Sequence, residues 1–317
     1  MRTIITGATG LIGRKLLAGL EREEVTVLTR NVAAARRSID AGRFVAWDGI
    51  SGIAPEVFER AEVVYHLAGE PVASGRWSAD KKQRILESRT LGTRAVVEAM
   101  ARAGSKPVLV SASAVGYYGS RDEELLTEAS APGSGFLPDV CKAWEAAAES
   151  AASSGSRVAM LRIGIVLARE GGALAKMLPI FRTGLAGRLG SGEQWMPWIH
   201  VDDVVSLFRH AGAARAVEGP INAVSPNPVT NADFTAALAR AIHRPAVLPA
   251  PKLALRAVLG EMAEVVLASQ RVIPERALRH GHVFRHPRLA EALADLFAPA
   301  PSSSSSSSSS SHRDAAA

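Results

Sequence analysis

Residues 2–30 read RTIITGATGLIGRKLLAGLEREEVTVLTR, and this stretch decides the fold. A short β-branched run is followed by a glycine-rich turn, a segment with the apolar spacing of a helix, and a second β-branched run from Val25 to Leu28. The pattern predicts a β-α-β unit whose turn carries glycines at the spacing GxxGxxG.

Each glycine of this turn has a separate physical role. Gly7 lets the chain turn sharply after the strand, Gly10 lets backbone approach a pyrophosphate, and Gly13 lets the helix pack closely on the sheet. The free N–H groups and positive dipole end of the helix favour a phosphate. A merely tight turn between strand and helix is the alternative. We expect the dinucleotide contacts to be Gly7, Thr9, Gly10, Leu11, Ile12 and Gly13.

The end of the second strand distinguishes between dinucleotides. NAD-binding units usually place an acidic residue there for the ribose hydroxyl, whereas this chain has Thr29 and Arg30. A guanidinium can hold a 2′-phosphate with two hydrogen bonds, so the sequence favours NADP. The alternative for Arg30 is a solvated loop cation.

Composition indicates an ordinary soluble globular protein. The chain has 317 residues, of which 47% are hydrophobic and 21% charged, enough for one large or two modest domains. Its single cysteine, Cys141, excludes an internal disulfide and suits a reducing compartment. No apolar run reaches membrane-spanning length and no signal peptide is expected, so we predict a cytoplasmic protein without membrane contact.

The positive charge does not indicate nucleic-acid binding. The formal charge is +6, but the basic residues are scattered and few aromatic residues lie among them. From Pro299 onward the chain is mostly Pro, Ala and Ser, which cannot bury enough apolar surface to fold. We therefore predict that residues 301–317 form a disordered, Ser-rich tail.

Strand and helix signals continue to alternate after the first unit. Together they predict an α/β fold of the Rossmann type, a doubly wound parallel sheet with ligands at the carboxyl ends of its strands. The further predicted strands are Arg43–Trp47, Ala61–Leu67, Pro107–Ser111 and Arg157–Leu161, six with the first two, and the long helices are 79–103 and Leu137–Ser153.

The alternation of strand and helix patterns ends after Gly164, where Pro, Gly and Trp become frequent. We predict an NADP-binding domain from residues 1–166 together with about 196–223. Residues 167–195 and 224–300 are predicted to form a smaller C-terminal lobe that covers the substrate.

Several motifs resemble a known family. TGATGLIG, HLAGE, SASAVGYYG, LRIGIVL and WIHVDD are similar, in order and spacing, to extended short-chain dehydrogenase/reductases of the nucleotide-sugar epimerase type. HLAGEPVASGRW, VCKAWEAAA, GSGEQWMPWIHVDD and the segment SQRVIPERALRHGHVFRHPRLAEAL resemble the narrower "epimerase family" proteins, which have a small C-terminal domain. The resemblance covers residues 1–297 and implies a Rossmann-type fold that binds NADP.

The resemblance also implies cofactor contacts. Thr29 and Arg30 match the adenosine-phosphate contacts, Leu67 and Ala68 the backbone beside the ribose, and Val166 the wall near the nicotinamide. Arg89, ahead of Gly92 and Thr93, stands where the wider superfamily has Asn. It resembles a second cofactor clamp, and a surface helix charge is the alternative.

The catalytic pattern of the superfamily is incomplete here. Its machinery is a serine with Tyr-x-x-x-Lys, in which lysine lowers the tyrosine pKa and the phenol exchanges a proton with substrate. Ser113 and Lys142 stand at the serine and lysine positions, but Pro138 occupies the tyrosine position and carries no proton to give.

Other groups could supply the proton. Either Tyr117 or Tyr118 could face the cleft or pack under the sheet edge. Of the two, we include Tyr118 as a candidate catalytic residue. Cys141 is either activated by Lys142 or a small buried hydrophobe. His200, with Asp202 and Asp203, is either catalytic or structural. No local spacing of metal ligands is present, so no metal is predicted.

The substrate is indicated only by class. Cations and tryptophans follow the fourth strand and populate the segment predicted to cover the cleft, which suits a planar or glycosyl substrate carrying phosphate or carboxylate. A lobe interface held by buried Trp and solvated Arg is the alternative. The residues are Glu70, Arg76, Trp77, Lys176, Arg182, Arg188, Gln194, Trp195 and Trp198.

Two functions follow from these patterns. The first is an NADP-dependent oxidoreductase or epimerase acting on a small polar or sugar-nucleotide-like substrate, as a monomer or as a homodimer through its long helices. The second is a non-catalytic NADP-binding sensor or interaction protein that has lost its proton donor. The sequence favours the enzyme, because a sensor has less reason to keep Ser113 and Lys142.

Overall fold

Strands and helices alternate along the first two thirds of the computed structural model, which describes residues 1–298. The tail predicted to be disordered, residues 301–317, lies outside the described residues. The strands are, in chain order, β1 (Thr3–Thr6), β2 (Val25–Thr29), β3 (Arg43–Ala46), β4 (Val63–His66), β5 (Val108–Ala114), β6 (Leu125–Leu126), β7 (Val158–Ile163), β8 (Ile165–Ala168), β9 (Trp195–Met196), β10 (Trp198–His200), β11 (Gly219–Ala223), β12 (Val229–Thr230) and β13 (Arg271–Val272).

Helices connect these strands and dominate the C-terminal third of the described chain. The α-helices are, in chain order, α1 (Leu11–Ala18), α2 (Val32–Ser38), α3 (Ala79–Arg102), α4 (Phe136–Glu149), α5 (Gly172–Arg182), α6 (Val201–Ala213), α7 (Asn231–Ala241), α8 (Lys252–Leu259), α9 (Ala263–Leu267), α10 (Glu275–Arg279) and α11 (Leu289–Phe297).

The main sheet has seven parallel strands in the order β11-β7-β5-β4-β1-β2-β3. This confirms the predicted Rossmann-type α/β fold. The sequence predicted six strands and missed β11, whose residues Gly219 and Pro220 are typical of a turn. The strand order reverses between β1 and β4, and such a switch point opens a crevice at the carboxyl ends of the strands.

Alternating side chains of the sheet pack into two separate cores. On one face Ile5 and Tyr65 pack with apolar residues of α1 and α6, including Phe208. On the other face Ile4 and Val64 pack with residues of α3 and the end of α4. Burial on both faces explains why these strands read as nearly continuous apolar runs.

A third core lies beyond the main sheet. It joins α5, α7 and α11, with Phe181, Phe234 and Leu293 among its buried members. Trp198 of β10 is fully buried in the same core and donates through its indole nitrogen to the Asn227 carbonyl at 3.1 Å. The segment after Gly164 therefore buries an apolar cluster of its own.

A polar network joins β1, β4 and α3. The Thr6 hydroxyl accepts from the backbone N–H groups of Leu67 at 3.2 Å and Ala68 at 3.1 Å and lies 2.8 Å from His66 Nδ1. Since the Thr6 oxygen accepts from both N–H groups, it donates its own proton to Nδ1. His66 Nε2 then donates to the Thr93 hydroxyl at 3.1 Å. Complete burial lowers the pKa of His66 to about 4, so the imidazole is neutral.

We expect this neutral imidazole to make folding sensitive to acid. The unfolded chain takes up a proton near the ordinary pKa of 6.5 while the folded chain resists until about pH 4, so stability falls as pH drops through this window. Across this whole window the free energy of unfolding should fall by about 3 kcal/mol. In His66→Asn, the free energy of unfolding measured in urea should depend less steeply on pH between 6.5 and 4.

The same change at His243 is the control for this experiment. His243 is exposed, and its φ of +53° suits Asn. A pH dependence of His66→Asn as steep as that of the wild type and of His243→Asn contradicts the assignment.

Candidate functional site

The glycine turn lies at the switch point, in close contact with the end of β4. Gly7 has a φ of +71°, and a Cβ there would lie 2.7 Å from the Leu67 carbonyl carbon and 2.8 Å from Ala68 N. A Cβ on Gly13 would lie 2.2 Å from the Gly7 carbonyl oxygen. A side chain at position 7 would push the turn away from the end of β4, and one at position 13 would push α1 away from the turn, so the backbone path requires glycine.

The first turn of α1 is suited to an anion. Gly10 is its N-cap, none of the described side chains caps the helix, and no acidic residue lies in its first turn. Gly10 and Thr9 are exposed, while Leu11 and Ile12 are half-buried beside them. The amide groups at the start of α1 therefore face an accessible surface, as expected for a phosphate site.

Thr29 ends β2 and Arg30 follows it, beside the same crevice. Arg30 is exposed, and its charge acts on Glu70, which follows β4. The pKa of Glu70 is lowered chiefly by its hydrogen bond from Lys81, with smaller contributions from the charges of Arg84 and Arg30. Several cations therefore lie near the edge where a 2′-phosphate is expected.

Arg89 holds the backbone that follows β4. Its guanidinium donates to the Glu70 carbonyl at 3.0 Å and to the Ile85 carbonyl at 3.1 Å, and it lies over the Trp144 ring at 5.0 Å from the centroid. Burial lowers the pKa of Arg89 from its usual value. Arg89 is therefore an internal clamp of the loop after β4 rather than a free surface charge.

The structure gathers the predicted cofactor residues from four distant stretches. The turn before α1, the end of β2 and the residues after β4 follow neighbouring strands of the sheet. Val166 lies in β8, half-buried against the core that also contains α1 residues. This arrangement matches the edge at which doubly wound sheets bind ligands.

Ser113, near the end of β5, belongs to a buried charged network. Its hydroxyl donates to Glu145 Oε1 at 2.6 Å. Arg162 of β7 donates to both oxygens of Glu145 at 2.8 Å, a bidentate pair in which Arg162 is 3% exposed. The carboxylate of Glu145 is therefore held by the guanidinium, with the serine hydroxyl aimed at it.

Tyr118 continues this network into the core. Its hydroxyl accepts from Arg162 at 2.9 Å and donates to Asn222 Oδ1 at 2.7 Å, and the side chain is fully buried. Burial raises the pKa of Tyr118 to about 12. Tyr117 is only half-buried, with its ring centroid 3.5 Å from the Arg162 guanidinium carbon. Of the two tyrosines, Tyr118 is a packed, hydrogen-bonded core residue.

The register of α4 places its lysine away from Ser113. Pro138, Cys141 and Glu145 lie on the buried face of the helix, whereas Lys142 lies on the exposed face. Lys142 forms an ion pair with Asp139 at 2.7 Å. Burial raises the pKa of Cys141 to about 12, so this thiol is a small buried hydrophobe rather than an activated nucleophile. The structure thus brings Ser113 to Glu145 and not to Lys142.

The polar residues proposed for the substrate side mostly bond within the protein. Lys176 donates to the Ala73 carbonyl at 2.6 Å, and Arg76 to the Ala257 carbonyl at 3.2 Å. Trp195 donates to Glu123 at 2.8 Å. Similar internal bonds are made by Glu70, Trp77, Gln194 and Trp198, whereas Arg182 and Arg188 are exposed.

A cavity of about 320 Å³ lies in the C-terminal part, with mainly apolar lining from α5, α7 and two loop segments. Phe181, Phe234 and Leu248 are among its walls. An opening of this kind favours an uncharged group rather than a phosphate.

His200 lies at the junction of β10 and α6. It is 1% exposed and caps α6 by accepting from Asp202 N at 3.2 Å. Its burial, with a smaller effect of His286, lowers the pKa of His200. Asp203 is buried and accepts from the backbone N–H groups of Arg285 at 2.7 Å and His286 at 3.0 Å. The WIHVDD motif therefore has a structural role in this fold.

Sequence reasoning missed Arg162, Asn222 and Glu128 as members of the buried network. Glu128 accepts from Asn222 N at 2.9 Å and Arg276 N at 3.2 Å. A signal was available in the motif LRIGIVL, because an arginine inside an apolar strand must find a buried anion. Its partner could not be identified, since Glu145 is far away in sequence.

Comparison with known proteins agrees with the fold. The NAD dependent epimerase/dehydratase family matches residues 3–223, and a domain of unknown function, DUF1731, matches residues 250–296. An epimerase family protein of Mycobacterium bovis is 41% identical over 291 residues, covering 91% of this chain and 95% of the relative.

Two solved structures are similar along nearly the whole chain. The crystal structure of human epimerase family protein SDR39U1 (isoform 2) with NADPH has a TM-score of 0.84 and 34% identity, covering 94% of this chain and 99% of that one. A nucleoside-diphosphate sugar epimerase from Corynebacterium glutamicum has a TM-score of 0.73 and 34% identity, covering 93% of this chain and 57% of that one.

We expect removal of Glu145 to destabilise the fold strongly. In Glu145→Leu the Arg162 charge stays buried without its anion, which should lower the free energy of unfolding by about 3–5 kcal/mol. Adding Arg162→Met should recover part of this loss, because an apolar pair leaves no uncompensated charge. Urea unfolding followed by circular dichroism measures both effects.

Glu149→Leu is the matched control on α4, since Glu149 is exposed one turn further along the helix. It should change the free energy of unfolding by no more than about 0.5 kcal/mol. If Glu145→Leu lowers the free energy of unfolding no more than Glu149→Leu does, the Arg162–Glu145 pair is not needed for stability.

Proposed function

The chain belongs to the NAD-dependent epimerase/dehydratase family, and we propose that it is an NADP-dependent oxidoreductase or epimerase acting on a small polar substrate. One observation carries this proposal: the glycine turn before α1 lies against the end of β4, with the amide groups of the helix start uncapped and accessible. That arrangement offers a pyrophosphate both space and hydrogen-bond donors.

NADP rather than NAD is the cofactor in this proposal. Arg30, with no acidic residue at the end of β2, suits a 2′-phosphate, and the human relative was solved with NADPH. Gly7, Gly10 and Gly13 would border the pyrophosphate, Leu67 and Ala68 the ribose, and Val166 the nicotinamide. Arg89 would act indirectly, by holding the loop after β4 in place.

Ser113 and Glu145 supply the proton route in this proposal. NADP, when bound, would supply the hydride acceptor or donor for the substrate carbon. The Ser113 hydroxyl, whose proton already points to Glu145, accepts the proton of the substrate hydroxyl as it passes its own to the carboxylate. Arg162 holds Glu145 in place for this exchange. The route needs neither a tyrosine at position 138 nor Lys142 at the reacting atoms.

A non-catalytic NADP sensor is the second candidate. Tyr118 is buried with its hydroxyl occupied, and Lys142 is exposed, so the usual tyrosine-lysine pair is not assembled. The glycine turn before α1 would bind NADP in either function. Only a measurement of catalytic turnover distinguishes the enzyme from the sensor.

The remaining assignments belong to the same proposal. Residues 1–166 with about 196–223 would bind the cofactor, and residues 167–195 and 224–300 would cover the substrate. No helix among residues 1–298 has the length and apolar character needed to cross a membrane. We propose a cytoplasmic protein, monomeric or dimeric, whose partners are small molecules rather than nucleic acid.

Arg30→Ala should weaken NADPH binding and leave NADH binding unchanged. Loss of charge-assisted hydrogen bonds to the 2′-phosphate should cost about 10- to 100-fold in affinity. Titration of each cofactor, followed by its fluorescence, measures the two dissociation constants. Arg37→Ala, an exposed arginine on α2, is the control and should bind NADPH like the wild type. Equal affinity of the wild type for both cofactors contradicts the role of Arg30.

Ser113→Ala should lower turnover by about 10²- to 10⁴-fold with unchanged NADPH affinity, because only the proton route is interrupted. The measurements are NADPH oxidation with a panel of carbonyl compounds, which runs the same proton route in reverse, and product analysis by NMR with sugar nucleotides, since an epimerase regenerates its cofactor. Ser111→Ala is the matched control, since Ser111 lies two residues earlier on the same strand and donates to a backbone carbonyl.

The wild type also discriminates between the two functions. If it binds NADPH but stays at background with every substrate of the panel, the sensor replaces the enzyme. If Ser113→Ala turns over like Ser111→Ala, the proton route is wrong.

A further inference from the structure

Four potential metal ligands meet at the junction of α6 with the C-terminal segment. They are His200 and Asp202 at the start of α6, His286 in the loop before α11, and Asp295 on α11. One ligand atom from each lies within 4.8 Å of the others. The set joins residues from both matched regions of the chain, so sequence spacing could not indicate it.

His200 is aimed into this cluster with an unpartnered nitrogen. The side chain is 1% exposed, and among the described residues its Nε2 has no hydrogen-bond partner. Nε2 lies 3.4 Å from Asp295 Oδ2, and the His286 ring lies beside it, with centroids 4.0 Å apart. A buried polar atom without a partner is costly and indicates a missing ligand.

The backbone that carries His286 is fixed by a neighbouring carboxylate. Asp203 accepts from the N–H groups of Arg285 and His286 at 2.7 and 3.0 Å and is itself buried. Lys15 takes only Oδ1 of Asp202, at 2.9 Å, which leaves the second oxygen available. The cluster therefore rests on ordered supports, as metal sites generally do.

The geometry points to a divalent transition-metal ion, and we propose that His200, Asp202, His286 and Asp295 bind Zn²⁺ as a structural site. Two imidazoles with two carboxylates suit Zn²⁺ better than Mg²⁺ or Ca²⁺, which prefer oxygen ligands throughout. The ion would tie α6 to the C-terminal segment and takes no part in cofactor chemistry.

The distances fit after a small contraction. Two ligands on a tetrahedral Zn²⁺ are about 3.3–3.5 Å apart, close to the separation of His200 Nε2 and Asp295. Wider pairs must close by up to about 1.5 Å, which the half-buried His286 and exposed Asp295 can accommodate. Binding through Nε2 requires the imidazole proton of His200 to move to Nδ1. The bond from Asp202 N is then lost, and the first residues of α6 must move away from the ring.

The test is a titration of the full chain with Zn²⁺ alone after treatment with a chelator. Calorimetry should give one Zn²⁺ per chain, and Zn²⁺ should raise the melting temperature. His286→Gln and Asp295→Asn should each weaken Zn²⁺ binding at least tenfold and abolish the thermal shift. Co²⁺ added to the wild type should give visible absorption bands that both variants lack.

His243→Gln and Glu291→Gln are matched controls, since both residues are exposed and Glu291 lies on α11 with Asp295. They should bind Zn²⁺ like the wild type, and circular dichroism checks that every variant is folded. Absence of one-to-one binding by the wild type overturns the proposal, as does equal affinity in His286→Gln, Asp295→Asn and the controls. Unfolding of both variants leaves the wild-type stoichiometry and Co²⁺ spectrum to decide.

Discussion

The Thr6 hydroxyl fixes the crevice on which the rest of the structure depends. It accepts from the N–H groups of Leu67 and Ala68 and donates to His66, so the ends of β1 and β4 are held at one spacing. At that spacing only glycine fits at position 7. The start of α1 is then directed at the crevice, where its backbone amide groups are available to the pyrophosphate that we propose binds there.

A buried ion pair organises the carboxyl ends of β5 and β7 and their contact with α4. Burying Arg162 and Glu145 is costly unless every hydrogen-bonding group is satisfied, and the two residues are joined to Ser113 and Tyr118 for that reason. The same pair determines which face of α4 is turned inward. Glu145 consequently occupies the neighbourhood of Ser113, and Lys142 remains on the exposed face.

Two other buried carboxylates attach the C-terminal segment. Asp203 accepts backbone N–H groups of residues 285 and 286, and Glu128 accepts those of Asn222 and Arg276. These contacts are polar and directional, so they specify one position of the segment rather than general apolar contact. The region that matches DUF1731 is thereby joined to α6 and to the edge strand β11.

The sequence by itself determined the β-α-β unit, the parallel sheet and the glycine turn, because those depend on local periodicity and backbone conformation. It could not determine the inward face of α4, the partner of Arg162 or the meeting of His200 with His286, since these depend on residues far apart in the chain. Lys142 illustrates the difference: its spacing from Pro138 suggested chemistry, but a helix has one buried face, and packing against β5 and β7 gave that face to Glu145.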